Sequence, residues 1–457
     1  MKQPMRLSVF TLAMLNVAAI ASLRGLPSNA ELGMSSVFFL VFAAVVFLIP
    51  SALVSAELAT TFKGGVFDWV KEAFGSQLGF LAIWLQWIQN VIWFPIILSF
   101  AAGTLAFIIN PALAKSGLFT AIVILIVYWG STLLAFQGGN LAGLLGSWGV
   151  IIGTIIPGVL IIVLAIIFLA AGNQPAIPIT AAAIMPDFTK FSTIVFAVGM
   201  FLSYAGMEMN AVHANEVDNP GSSFPKAILI SVAVILALFI LGSLAIALVV
   251  PKDQISLTAG VMEAYKSFLV KFHMSWAVPL VALLLIIGAF AGVITWIAGP
   301  SKGILKVGKH GYLPPLLQKT NQHGIQVNIL ILQGGIVTLF ALIFVVIPNV
   351  SSSFWILSAI TAQSYLIMYV MMFAAAIRLR KTHSDLPRPY RTPALPLVAG
   401  IGTVASAAAI LLGFVPPSQW TSGLPLYLAI LVAGMLALSV GPFIFYRCRK
   451  PTWVTDK

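Results

Sequence analysis

Stretches of about twenty apolar residues recur along the whole chain, and nothing else in the sequence restricts its fold so strongly. A backbone in hydrocarbon must satisfy its own hydrogen bonds, which leaves helices or a closed barrel. The strict alternation of a barrel strand is absent, so the expected class is an all-α polytopic membrane protein. Composition agrees: 60% of residues are hydrophobic and 8% are charged, against about 25% charged in soluble domains.

Twelve spans are expected, near 7–26, 35–58, 77–108, 117–136, 147–171, 191–211, 227–250, 276–298, 327–347, 354–377, 395–415 and 424–446. The first segment imitates a secretion signal, with Lys2 and Arg6 before an apolar run, but eleven further spans make it the first of a series. An even number puts both termini on one side. Six of the twenty-four Lys and Arg residues fall in the alternate set of loops: Arg24, Lys115, Lys190, Lys252, Lys266 and Lys271. The other set, with "SKGILKVGKHGYLPPLLQK" and "RLRKTHSDLPRPYR", holds the rest, so the termini are expected in the cytoplasm. The net charge of +12 is therefore an orientation signal and not a nucleic-acid surface. The lone Cys448 forms no internal disulfide, no metal-ligand cluster occurs, and no cofactor motif is present. The loops near 251–275 and 299–326 read as a few turns of amphipathic or irregular chain.

Within the spans, carboxylates are confined to Glu57 and Glu208. Glu57 falls late in the second span, near an interface, where a structural role is expected. Glu208 follows "LSYAG" after a long apolar run. Gly206 leaves helical geometry at low cost. Unwinding at 203–206 would free carbonyls on one half-helix and N–H groups on the other, whose positive end suits a carboxylate. Two readings stand: a ligand site, or small residues that let helices pack closely. Span 1, with Asn16, Ser22, Arg24, Gly25 and Pro27 in "TLAMLNVAAIASLRGLPSNA", has the small, polar centre of a second broken helix. Paired breaks in corresponding positions are the mark of transporters built from inverted repeats.

Three stretches together carry a resemblance: "IPSALVSAELATTFKGGVFDWV", "FLSYAGMEMNAVHANEVDNPGSSFPKA" and "ITWIAGPSKG". The chain resembles, from end to end, the amino acid–polyamine–organocation family of permeases, and within it the bacterial glutamate/GABA antiporter group. The resemblance implies a five-plus-five inverted repeat, 1–171 and 191–377, with two extra helices at 395–446. It implies a bacterial inner-membrane carrier of small-molecule amino acid substrates working by alternating access, with a homo-oligomer left open. Carried over by position, the substrate site falls on Ala19, Ile20, Ala21 and Ser22 of span 1. In span 6 it falls on Leu202, Ser203, Tyr204, Ala205 and Gly206, with Trp296, Tyr365 and Tyr369 from later spans. Glu208 is implied as a proton sensor or a support of the broken helix.

Tyr365 and Tyr369 share one helix face by spacing alone, which packing also explains. Arg24 is a gate candidate that either attracts an acidic group or snorkels to the interface. The chain departs from the family in two places. "AAIAS" replaces its glycine-rich span 1 motif, and the short segment after the last span predicts no C-terminal plug. Exchange is expected rather than proton-coupled import of amino acids or polyamines, because span 5 carries no Lys and Thr295 lacks a partner for a sodium site. An intramembrane protease would need a Ser–His pair or two membrane Asp residues, and a channel would need a charged ring; neither is present.

Overall fold

The computed structural model describes residues 8–62, 64–138, 148–189, 195–210, 219–347, 349–417, 420 and 422–455. Expectations that fall on Lys2, Arg6, Lys190 and the stretch 211–218 lie outside them. The described chain is helical: α1 (Val9–Ile20), α2 (Leu26–Ala30), α3 (Ser35–Thr61), α4 (Val66–Phe74), α5 (Ser76–Ile109), α6 (Gly117–Phe136), α7 (Trp148–Ala170), α8 (Phe196–Tyr204), α9 (Met207–Asn210), α10 (Pro220–Val249), α11 (Gly260–Lys271), α12 (Val278–Lys309), α13 (Val327–Val346), α14 (Val350–Thr382), α15 (Leu395–Leu412) and α16 (Leu424–Cys448). Among the described residues, ten helices are long and apolar enough to cross a membrane, or eleven with the bent α1–α2 pair as one span. The sixth expected span is present as α8 and α9, with its first residues and its end outside the described chain.

Some boundaries shift: α10 begins at Pro220 where span 7 was expected from 227, α14 runs over Val350–Thr382 where 354–377 was expected, and the largest shift is in span 8. Span 8 was expected to stop at 298, yet α12 continues through Pro300 to Lys309. A proline inside a helix frees the carbonyl four residues back. Here that carbonyl belongs to Trp296, and Asn90 of α5 donates to it at 3.1 Å. The same device recurs in α16, where Pro442 frees the Leu438 carbonyl and Trp84 of α5 donates to it at 2.7 Å. A neighbouring helix thus supplies the missing donor, which hydrocarbon cannot.

α5 is the central post, packed against α4, α6, α12 and α14, while α14 also packs on α15 and α1 on α10. Its buried amide and indole groups are tied off by neighbours. Trp87 donates to Gln333 of α13 at 2.9 Å, and Gln333 donates to Tyr128 of α6 at 2.8 Å. α7 and α12 meet backbone to backbone, since a Cβ on Gly153 would lie 2.0 Å from the Gly288 nitrogen. Small residues let membrane helices approach this closely. At the end of α3, Glu57 is buried and takes on the structural role expected of it. Arg380 donates to it twice, once from Nε at 2.9 Å; Arg388 pairs with it at 3.3 Å; and the Thr392 N–H donates to it at 2.7 Å.

Candidate functional site

Both breaks are present. α1 ends at Ile20, Ala21 and Ser22 are extended (Ser22 φ −148°, ψ 131°), and the helix resumes through Leu23–Gly25 with a bend of 45°. The last carbonyls of a helix have no intrahelical partner, so the turn ending at Ile20 presents acceptors at the gap. The expected unwound segment was Ala19 to Ser22; Ala19 and Ile20 instead remain helical. The second break was expected over Leu202 to Gly206, but Leu202, Ser203 and Tyr204 instead remain helical: α8 ends at Tyr204, Ala205 is extended, and Gly206 has φ +125° before α9 starts at Met207. That φ is one a side chain resists. The breaks face each other: the nearest atom to a Cβ built on Gly206 is the Ala19 carbonyl oxygen, at 4.0 Å.

Glu208, one residue into α9, is 3% exposed. Three donors converge on its carboxylate. Tyr365 and Tyr369 of α14 donate to Oε1 and Oε2, and Gln86 of α5 donates to Oε1 at 3.0 Å. The Tyr369 hydroxyl also accepts the Gly206 N–H at 2.7 Å, so one phenol joins the break to the carboxylate. The two tyrosines thus pack ring to ring (centroids 5.0 Å apart) and aim at Glu208.

Two cavities flank this centre. One, of about 50 Å³, is lined by Ala19, Ala21, Ser22, Trp93, Gly292 and Trp296, among others. The second, of about 160 Å³, reaches Glu208 between Gln86, Met209, Pro300, Lys306 and His310. Other expected site residues are placed differently. The Ser203 hydroxyl donates to its own helix at Gly199 (2.9 Å) and packs against Gly25, whose Cβ would come within 2.9 Å of it. The Tyr204 hydroxyl donates to the Leu40 carbonyl of α3 at 3.1 Å, and Leu202 and Ile20 are buried in the apolar core. Arg24 is 7% exposed, so it does not snorkel. Sequence reasoning passed over Gln86, Asn90 and Trp93. Three amides in "WLQWIQNVIWFP", each costly in lipid, were the available signal.

Two facing broken helices, with a carboxylate held inside a many-helix membrane bundle, define the class: a multi-pass membrane carrier. The sequence matches the amino acid permease family over residues 7–436, and the chain belongs to that family. It is 40% identical to an uncharacterized transporter of Legionella pneumophila over 96% of each chain. It is 32% identical to the glutamate/gamma-aminobutyrate antiporter of Lactococcus lactis, over 96% of this chain and 90% of the relative. A polyamine transporter of Oryza sativa is 26% identical over 86% of this chain and 66% of its own length.

Proposed function

We propose that this permease exchanges amino acids across the bacterial inner membrane, in the manner of a glutamate/GABA antiporter. Substrate sits between the two breaks, and the first and second repeats (1–171 and 191–377) alternately open the site to either face, with both termini in the cytoplasm. The observation that carries this reading is the apposition of the breaks, Gly206 facing the Ala19 carbonyl, with Glu208 held alongside. Helix-end carbonyls suit the ammonium of an amino acid, and the helix that resumes at Leu23–Gly25 beyond the first break, which carries Arg24, suits its carboxylate. Trp296 and Trp93, with ring centroids 6.2 Å apart, give an apolar, cation-attracting wall to the smaller cavity. Tyr365 and Tyr369 act on substrate through Glu208 and the Gly206 N–H.

The test is uptake of labelled glutamate into proteoliposomes loaded with single unlabelled amino acids. Uptake that requires an internal partner such as GABA supports exchange and identifies the pair. Uptake into empty vesicles driven by an imposed proton gradient overturns it in favour of a symporter. Glu208 favours that second reading, as a lone carboxylate at the breaks able to take up the coupling proton.

A further inference from the structure

Arg24 lies two residues beyond the break in span 1, in the turn Leu23–Gly25, and is 7% exposed. Its Nε is buried and has no hydrogen-bond partner. Among the described residues no carboxylate pairs with it, whereas Arg380 and Arg388 both pair with Glu57. Its guanidinium instead lies over the face of Trp93, with the guanidinium carbon 5.6 Å from the ring centroid. A ring face offsets only part of the cost of burying a cation. An ionisable residue held in the membrane interior normally finds a partner or serves a transported one.

The neighbours of Arg24 indicate where that partner comes from. Ala21, Ser22 and Leu23 precede it in the chain, Trp93 lies against it, and all four line the smaller cavity at the break. Arg24 does not itself line the cavity; its guanidinium lies behind the shared Trp93 ring, and its planar fork, which matches a carboxylate, is not occupied by a protein acid. We propose that Arg24 receives the carboxylate of the transported ligand, which replaces the Trp93 face as its partner. The ligand must then carry a free carboxylate. Diamines, which bring only positive charge to a buried cation, are rejected. The inference rests on the reading of the cavity as the substrate site and adds the side chain that selects for the ligand's carboxylate.

The test uses the purified full-length protein and ligand-dependent thermal stabilisation with matched compounds: GABA against 4-aminobutanamide, glutamate and alanine against their fully amidated forms, and putrescine. The acids that bind are expected to lose binding on amidation, and putrescine is expected not to bind. Arg24→Gln is expected to weaken acid binding by at least about thirtyfold, with Arg24→Lys recovering part. An amide or putrescine that binds the wild type as tightly as the acid overturns the proposal, as does wild-type affinity in Arg24→Gln or failure of every acid to bind. The acid–amide comparison needs no variant to fold. Acid-selective binding without exchange in vesicles sinks the exchanger reading and leaves Arg24's role intact. Exchange that amides compete for equally does the reverse.

Discussion

Replacing Gly206 with Ala isolates the conformational demand of the second break. Gly206 has φ +125°, and a Cβ there meets nothing nearer than the Ala19 oxygen at 4.0 Å. Steric collision is therefore small, and the cost is backbone strain of about 1–3 kcal/mol. If the chain relieves it by straightening, the broken conformer loses a factor of about 5–150 in population. The Gly206 N–H would then leave the Tyr369 hydroxyl, which also holds Glu208. Gly199 supplies the control. It lies within α8, and its Cβ would sit 3.7 Å from the Trp355 ring and 3.9 Å from Ser28 Oγ, ordinary contacts. Gly199→Ala should gain about 0.5–1 kcal/mol from reduced backbone freedom in the unfolded chain. The unfolding temperature should fall in Gly206→Ala and rise in Gly199→Ala, and substrate half-saturation should worsen in Gly206→Ala alone. Wild-type stability and affinity in Gly206→Ala, or a shift of the same sign in both, would refute the reasoning.

Three further perturbations probe separate parts of the bundle. Glu57→Gln leaves Arg380 and Arg388 without their shared anion and should destabilise by ~3–5 kcal/mol, read as a lower unfolding temperature in detergent. Gly153→Ala should lose transport with little folded protein recovered, because the new Cβ lies 2.0 Å from the Gly288 backbone; normal expression and uptake would show that α7 and α12 separate freely. Burial raises the Glu263 carboxyl above its ordinary value of 4.5, partly offset by the Ser256 N–H and by Lys115. The folded state thus binds this proton more tightly than the unfolded chain, and stability from this group declines as pH rises through 4.5 and above. Glu263→Gln should remove that decline from the pH profile of unfolding temperature.

Hydrophobic length alone located the membrane helices, because a span's limits are set by the bilayer and not by its partners. α6 begins and ends at the expected residues, and α3 begins at its expected start, Ser35. The end of α12 was missed because Pro300 reads locally as a stop, and the donor that rescues the helix, Asn90, is 206 residues away. The second break was legible at its far end, since Gly206 and Glu208 are local anomalies in an apolar run, but its start was also placed too early, Ser203 and Tyr204 being helical. The first was placed two residues too early because "AAIAS" contains no glycine to mark the turn. The helical spacing of Tyr365 and Tyr369 was visible. Their attachment to Glu208, 157 and 161 residues distant, was not, because a carboxylate's donors are chosen by tertiary packing. Arg24 was ambiguous for the same reason: snorkelling or burial depends on where the helix beyond the break points.

The two halves of the sixth span answer to different partners, and this gives the break its mechanical meaning. α8 is fastened to α3 by the Tyr204 hydroxyl on the Leu40 carbonyl and stacks on α10 through Tyr204 and Phe239. α9 is fastened to α5 and α14 by the bonds that Gln86, Tyr365 and Tyr369 make to Glu208. Between them stand two residues, Ala205 and Gly206, outside helical geometry. A continuous helix would transmit any tilt of α3 and α10 straight to α14. A pair of residues outside helical geometry absorbs it as a change in φ and ψ, as hinges do. The Tyr369 hydroxyl sits on this joint, accepting from Gly206 on one side and donating to Glu208 on the other. A ligand that takes either partner from Tyr369 therefore alters how the halves are coupled, which is how occupancy of a site at the breaks can decide when the bundle moves.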